Sequence, residues 1–182
     1  MGCVDDPIPP LTIALMGDPQ LHMVEDSLAN VRTAMDDILN VGYDLLVPLG
    51  DLVHNRAEYY ADYDELILAR STGPVYSVAG NADRNAGLDA YHEATGLPLN
   101  YGVRVRGIRL LFMSVTETSG GHNHICHIGP EQLAWLTAEL DADTTSTTVV
   151  FVHAPLFETT FRSGDRSHLP PPMSLYLFES PQ

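Results

Sequence analysis

Polar side chains that can bind metal ions follow short apolar runs at four places along the chain. The runs are typical of buried strands, and the polar residues that come after them are Asp18 and Gln20, Asp51 and His54, Asn81 and Asp83, and His153. One such group would carry little weight, because Asp and Asn are ordinary turn residues after Gly. Four successive groups that combine carboxylate, amide and imidazole ligands indicate a site for hard or borderline divalent metal ions.

The elements that must position these side chains alternate between strands and helices. Apolar runs predict strands over 11–16, 44–49, 74–79, 103–106, 109–115 and 147–152. Helical periodicity predicts helices over 24–38, 59–70, 88–94 and 130–140. Gly107 joins two of the strands tightly, so an antiparallel pair is expected within this chain. The pattern is that of an α/β fold, in which functional groups gather beyond the carboxyl ends of the strands.

Length and charge limit the classes of function. The 182 residues predict a single domain over 1–182, with 1–10 as an N-terminal extension. Acidic residues number 24 against 9 basic ones, and the net charge is −15, so neither a stable nucleic-acid complex nor binding to an anionic membrane is expected. The chain starts without the cationic segment of a secretory signal, and no apolar run reaches the ~18 residues of a membrane span. A cytoplasmic location is therefore expected.

Four motifs carry a resemblance to a known family. They are GDPQ at 17–20, GDLVH at 50–54, GNADR at 80–84 and VFVHAP at 150–155. In order and interval they resemble the calcineurin-like metallophosphoesterases, and the cyclic-nucleotide phosphodiesterase type in particular. The resemblance implies a four-layer sandwich of two mixed β-sheets flanked by helices, and metal-dependent hydrolysis of phosphate esters.

The resemblance also implies two divalent metal ions, Mn, Fe or Zn, and a role for each matched residue. Asp18 would bind one ion, Asn81 and His153 would bind the other, and Asp51 would bridge both. A hydroxide held between ions about 3.5 to 4 Å apart would attack phosphorus in line with the leaving oxygen. Asp51, Asn81 and His153 are accordingly the expected catalytic residues.

Two residues within these motifs depart from the family pattern. Gln20 stands where the family usually has His, and its amide oxygen is a weaker but workable metal ligand. Ala82 stands where the family usually has the His that contacts the phosphate and can protonate the leaving group. Substrates with good leaving groups, or another proton donor such as His54 or a water molecule, are therefore expected. Asp83 loses its usual partner and is expected to cap the following helix.

A third departure concerns the end of the family pattern. No G-H-x-H motif follows His153, so the domain is expected to lack its C-terminal edge and to finish in an irregular tail over 158–182. A G-H-N-H sequence with His122 and His124 comes before His153 instead, within a polar run over 119–127. This run either completes the metal pair, forms a separate zinc site, or is a polar loop over the active face.

A small-molecule phosphate ester is the expected substrate. Diesters, cyclic nucleotides among them, are expected ahead of monoesters because the motifs resemble those of phosphodiesterases. His54 and Arg84 are the expected substrate contacts. The guanidinium of Arg84 offers a bidentate fork to a phosphate, although a surface ion pair would account equally for this residue.

A second hypothesis treats the chain as a metal-poor, catalytically impaired module that binds a phosphorylated ligand or a partner chain. Gln20, Ala82 and the absent G-H-x-H pair favour it. A missing edge strand would leave hydrogen-bonding groups uncovered, and a homodimer is one arrangement that covers them.

Overall fold

The structure is a computed structural model that describes residues 10–119 and 125–154. The expected tail over 158–182, His122, His124 and all but the last residue of the expected extension lie outside the described residues. Within the described part, no helix is long and apolar enough to cross a membrane.

Strands and helices alternate along most of the described chain, as the apolar pattern predicts. The strands are β1 (Ile13–Met16), β2 (Leu45–Pro48), β3 (Asn100–Val105), β4 (Ile108–Met113), β5 (Glu117–Ser119), β6 (Ile125–His127) and β7 (Thr148–Val152). The helices are α1 (Ser27–Val41), α2 (Tyr60–Tyr63), α3 (Asn81–Ala86), α4 (Leu88–Thr95) and α5 (Pro130–Ala142). The helix expected over 59–70 is composite, because a 3-10 turn (Ala57–Tyr59) precedes α2 and a π-helical turn (Asp64–Leu68) follows it.

The segment 74–79 does not form the regular strand that its apolar residues predict. Its pairing with β2 consists of an isolated parallel bridge between Val75 and Leu46 and a further backbone hydrogen bond of 3.3 Å from the Val78 N–H to the Pro48 carbonyl. Leu46 accepts a backbone hydrogen bond of 3.0 Å from Tyr76 and donates one of the same length to the residue before Val75. The next β2 residue that would donate is Pro48, which has no N–H, so one hydrogen bond of a regular parallel ladder is missing.

A short hairpin occupies part of the polar run 119–127, for which the sequence predicts no strand. Strand β5 pairs antiparallel with β6, so that Glu117 lies opposite His127 and Ser119 lies opposite Ile125. The Ser119 hydroxyl and the His127 Nε2 are 2.6 Å apart across the hairpin. Strands of three residues are too short for an alternating pattern to stand out in a sequence.

Two sheets face each other across an apolar core. Strand β1 pairs in parallel with β2, and β4 lies between antiparallel β3 and parallel β7. Leu45 and Val47 of β2 lie in one core cluster with Phe112 of β4 and Phe151 of β7. Leu46 lies in a second cluster with residues of α1, α2 and α4. Successive side chains of β2 therefore point alternately into the core between the two sheets and into the core between the first sheet and the helices.

Helix α5 covers the outer face of the second sheet. Arg109 of β4 donates hydrogen bonds to the backbone carbonyls of Glu139 and Asp143 near the end of the helix. Gln132 near its start donates to the Ser114 carbonyl at 2.9 Å. The described residues thus form helix, sheet, sheet and helix layers, which confirms the expected fold class. The second sheet is mixed, whereas the first is parallel over β1 and β2.

Asp83 is a fully buried carboxylate that joins three segments of the chain. Its oxygens accept hydrogen bonds from the Gly80 N–H at 2.8 Å, the Leu52 N–H at 3.0 Å and the Tyr60 hydroxyl at 3.0 Å. Burial raises the pKa of Asp83 to about 6, against the opposing effect of these donors. The bond to Gly80 places Asp83 in a capping box at the start of α3, a helix that the sequence does not predict, and not before the helix predicted over 88–94. The same carboxylate also holds the loop after β2.

Asp83→Asn should destabilise the fold. The amide keeps one acceptor but turns an NH2 group toward buried N–H donors, so the free energy of unfolding should fall by ~2–4 kcal/mol. The same change at exposed Asp37 on α1 should alter it by less than ~0.5 kcal/mol. Urea unfolding of both variants at neutral pH measures the difference. Equal stability of the two variants would show that the Asp83 bonds contribute no more than a surface carboxylate.

Candidate metal centre

Asp51 lies at the centre of the candidate site, just after β2. It is 3% exposed, its Oδ1 accepts the Ala82 N–H at 2.7 Å, and its Oδ2 accepts the Gln20 Nε2–H at 2.8 Å. Its φ of 50° lies in the left-handed region, which costs free energy for a residue with a Cβ. This turn places the carboxylate between the loop that follows β1 and the start of α3.

Two glycines allow the loops to come this close. A Cβ on Gly80 would lie 2.2 Å from Oδ1 of Asp51, and a Cβ on Gly50 would lie 2.7 Å from Nδ1 of His153. Gly50 also has a φ of 87°. The glycines that precede Asp51 and Asn81 in their motifs are therefore required by close packing as well as by turn geometry.

His153 follows β7 and turns one ring nitrogen toward the site. Its Nδ1 lies 2.8 Å from the Leu49 carbonyl, and because a carbonyl only accepts, Nδ1 carries the proton. In the neutral ring, Nε2 then keeps its lone pair. That atom lies 3.3 Å from Oδ1 of Asn81 and 3.5 Å from Oδ1 of Asp51. The Leu49 carbonyl thus fixes the tautomer that can bind a metal ion.

Asp18 approaches the same point from the end of β1. Asp18, Asp51 and His153 present ligand atoms that all lie within 4.8 Å of one another. Partial burial raises the pKa of the Asp18 carboxyl group; His153 opposes this effect, and the negative charge of Asp51 adds to it. Like charges held this close are costly without a cation between them.

Gln20 contacts Asp51 through its amide nitrogen. Its other amide atom, Oε1, is buried without a hydrogen-bond partner among the described residues. The expected role of Gln20 as a metal ligand requires Oε1 to face an ion. In this structure the side chain instead orients the Asp51 carboxylate by donating to it.

Asn81 joins the cluster from the first residue of α3. Its Oδ1 lies close to His153 and also accepts a weak hydrogen bond from the buried Cys126 thiol at 3.7 Å. Burial raises the pKa of Cys126 to about 12, and the charge of Asp51 adds to this effect. Cys126 belongs to the polar run 119–127, where the sequence places it close to His124 and His127. Hairpin β5–β6 brings it to the site.

Arg84 and His54, the two expected substrate contacts, form their described hydrogen bonds outside the cluster of metal-ligating side chains. Arg84 donates its Nε–H to the Thr116 carbonyl at 2.9 Å, and it forms no ion pair with the described residues. The Nε2 atom of the His54 ring lies 3.3 Å from the side-chain amide nitrogen of Asn55. Neither residue forms a direct contact with the cluster of Asp18, Asp51 and His153 among the described interactions.

The donor set fits divalent metal ions. Two carboxylates, the Nε2 lone pair of His153 and the Oδ1 of Asn81 converge, and all of these atoms are acceptors. Acceptors that face one another around the buried Asp51 carboxylate need a cation or a proton to satisfy them. Oxygen and imidazole nitrogen ligands suit Mn, Fe and Zn alike.

Gly80→Ala should abolish high-affinity metal binding. The added methyl group collides with the backbone and carboxylate of Asp51, so the carboxylate must leave its position. Gly17→Ala is the matched control, because a Cβ there meets nothing within 4 Å. Calorimetric titration of each folded variant with Mn²⁺ measures the affinity. We expect at least a tenfold loss for Gly80→Ala and none for the control, and equal affinities would refute the geometry.

Comparison with known proteins agrees with this geometry. Residues 11–181 match the family model described as calcineurin-like phosphoesterase. No curated protein matches the chain. A crystal structure of a dimetal phosphatase from Danio rerio is similar, with a TM-score of 0.59 and 16% identity, over 84% of this chain and 71% of that chain. The latter likeness concerns the fold, while the family match spans most of the sequence and confirms the resemblance carried by the four motifs. The chain belongs to the calcineurin-like phosphoesterase family.

Proposed function

We propose that this protein hydrolyses phosphate esters with divalent metal ions bound by Asp18, Asp51, Asn81 and His153, and that it prefers diesters to monoesters. One observation carries the proposal. The ligand atoms of Asp18, Asp51 and His153, which come from three separate loops, converge to within 4.8 Å. The family match supports phosphoester hydrolysis as the reaction class.

Hydrogen bonds within the protein fix the orientation of two of the proposed metal ligands. Asp51 would bind both ions, and the hydrogen bonds that its oxygens accept from Gln20 and Ala82 fix the orientation of its carboxylate. His153 is oriented by the Leu49 carbonyl. When bound, the ions supply positive charge to the phosphate oxygens and lower the pKa of a water molecule toward neutrality. Mn, Fe and Zn remain equivalent candidates.

Ala82 defines the reactivity expected of the site. Its methyl group is 3% exposed and offers no proton to a leaving group. Without a general acid at this position, the rate should depend steeply on the acidity of the leaving alcohol. Esters of acidic phenols should therefore react much faster than esters of alkyl alcohols.

The preference for diesters is supported by charge. A diester carries one negative charge near neutral pH, whereas a monoester carries close to two. The protein has a net charge of −15, so its surface repels a dianion more strongly than a monoanion. Cyclic nucleotides are diesters of this kind and are included in the proposal.

Asp51→Asn should lower kcat/KM for bis(4-nitrophenyl) phosphate by about a thousandfold in the Mn²⁺-loaded protein. The amide removes the charge that both ions would share, while its shape is nearly unchanged. The same substitution at Asp37 is the control and should leave kcat/KM within about twofold. Absorbance at 400 nm follows the released nitrophenolate, and a chelator should abolish the signal.

Two further results bear on the proposal. The kcat/KM for bis(4-nitrophenyl) phosphate should exceed that for 4-nitrophenyl phosphate, and the opposite ratio would overturn the diester preference. Binding of a phosphorylated ligand that ignores Asp51→Asn, in a protein without hydrolytic activity, would instead favour the binding-module hypothesis.

A further inference from the structure

A groove opens beside the metal centre. It has a volume of about 290 Å³ and lies between the loop that follows β1 and the first turns of α1. Asp18 lines the groove and also belongs to the metal cluster, so the groove adjoins the cluster at this residue. A molecule whose phosphate reached Asp18 could therefore place its next atoms in the groove.

The walls of the groove are mainly apolar. Met23 and Val24 line it and are 55% and 57% exposed, while Val31 of α1 forms its buried side. Asp18 is the one charged residue among the described residues that line it. Two neighbouring apolar side chains left exposed beside a polar site are typical of ligand pockets.

The loop that carries these side chains is held in place on both sides. Leu21 is fully buried and bridges to Val53. The backbone N–H of His22 donates to the Ser27 hydroxyl at 2.8 Å, and its ring lies 2.6 Å from the Asp62 carboxylate. The His22 ring also stacks on Tyr59, with centroids 4.1 Å apart. The exposure of Met23 and Val24 is thus a property of an anchored loop, and a preformed wall lowers the cost of binding.

We propose that this groove holds the organic group of the phosphate ester, and that it selects uncharged, apolar groups about the size of one or two aromatic rings. The proposal rests on the proposed function, because it takes the phosphate to lie at the metal cluster. The volume is at the lower end of the range for ligand pockets, which suits a compact ring system. A second anionic group would meet apolar walls beside Asp18 and would be disfavoured.

The test measures binding of 1-naphthylphosphonate, which has an intrinsic fluorescence and a carbon–phosphorus bond that is not hydrolysed as an ester. Val24→Asp places a charge in the groove and should raise the Kd of the Mn²⁺-loaded protein for 1-naphthylphosphonate about tenfold. Val41→Asp is the control, because Val41 is 85% exposed at the last residue of α1, outside the groove. It should leave the Kd unchanged. Thermal unfolding verifies that both variants are folded.

A filling substitution tests the shape of the groove without adding charge. Asn30→Trp extends a ring into the groove, whereas Asn40→Trp places the same ring on α1 away from it. The first should weaken binding of 1-naphthylphosphonate about tenfold and the second should not. Methylphosphonate, which has no group to fill the groove, should bind all four variants with the wild-type affinity.

The outcomes separate this inference from the proposed function. Equal effects of Val24→Asp and Val41→Asp, or an equal loss of methylphosphonate binding, would overturn the groove assignment even in an active enzyme. Selective loss of naphthylphosphonate binding supports the assignment even in a protein that hydrolyses no ester. Absence of hydrolysis alone would contradict the proposed function.

Discussion

The geometry of the metal centre depends on the buried carboxylate of Asp83. By accepting hydrogen bonds from Leu52, Gly80 and Tyr60, it joins the loop after β2 to the start of α3 and to α2. The loop and the helix start are the segments that carry Asp51 and Asn81. A buried charge of this kind is stable only when donors surround it, so the three segments must meet in one arrangement. Asp83, which binds no metal ion in our proposal, therefore determines the positions of the ligands Asp51 and Asn81.

Strained backbone conformations and glycines allow the metal ligands to lie close together around the Asp83 carboxylate. Asp18, Gln20 and Asp51 all have positive φ angles, and Gly50 and Gly80 allow contacts that a Cβ would block. Such conformations cost free energy and persist only when the surroundings determine them strongly. Here the surroundings are the parallel β1–β2 pair and the core on each of its faces. The cost of the strained turns is thus offset by the packing of the sheets.

The site combines two environments that suit different parts of one molecule. The cluster of carboxylates and imidazole is polar and attracts cations, which in turn attract phosphate. The groove beside it is apolar apart from Asp18. On a protein whose net charge is −15, an anionic substrate is not attracted by the overall field. Recognition must then come from short-range contacts, with metal ions for the phosphate and the groove for the remainder.

The sequence by itself determined most of the strands, the longer helices and the chemical types of the site residues. Apolar runs located most strands, and a Gly followed by a polar ligand marked where each loop turns, as at Asp51 and Asn81. Only the tertiary structure determined which contacts the residues around the site make. Pro48 removes one donor from the pairing with 74–79, Gln20 donates to Asp51, and Cys126 comes within reach of Asn81 through the β5–β6 pair. Local patterns report the periodicity and turn preferences of a short segment, whereas these contacts join residues 28 or more positions apart. Their geometry exists only once the sheets and loops have packed.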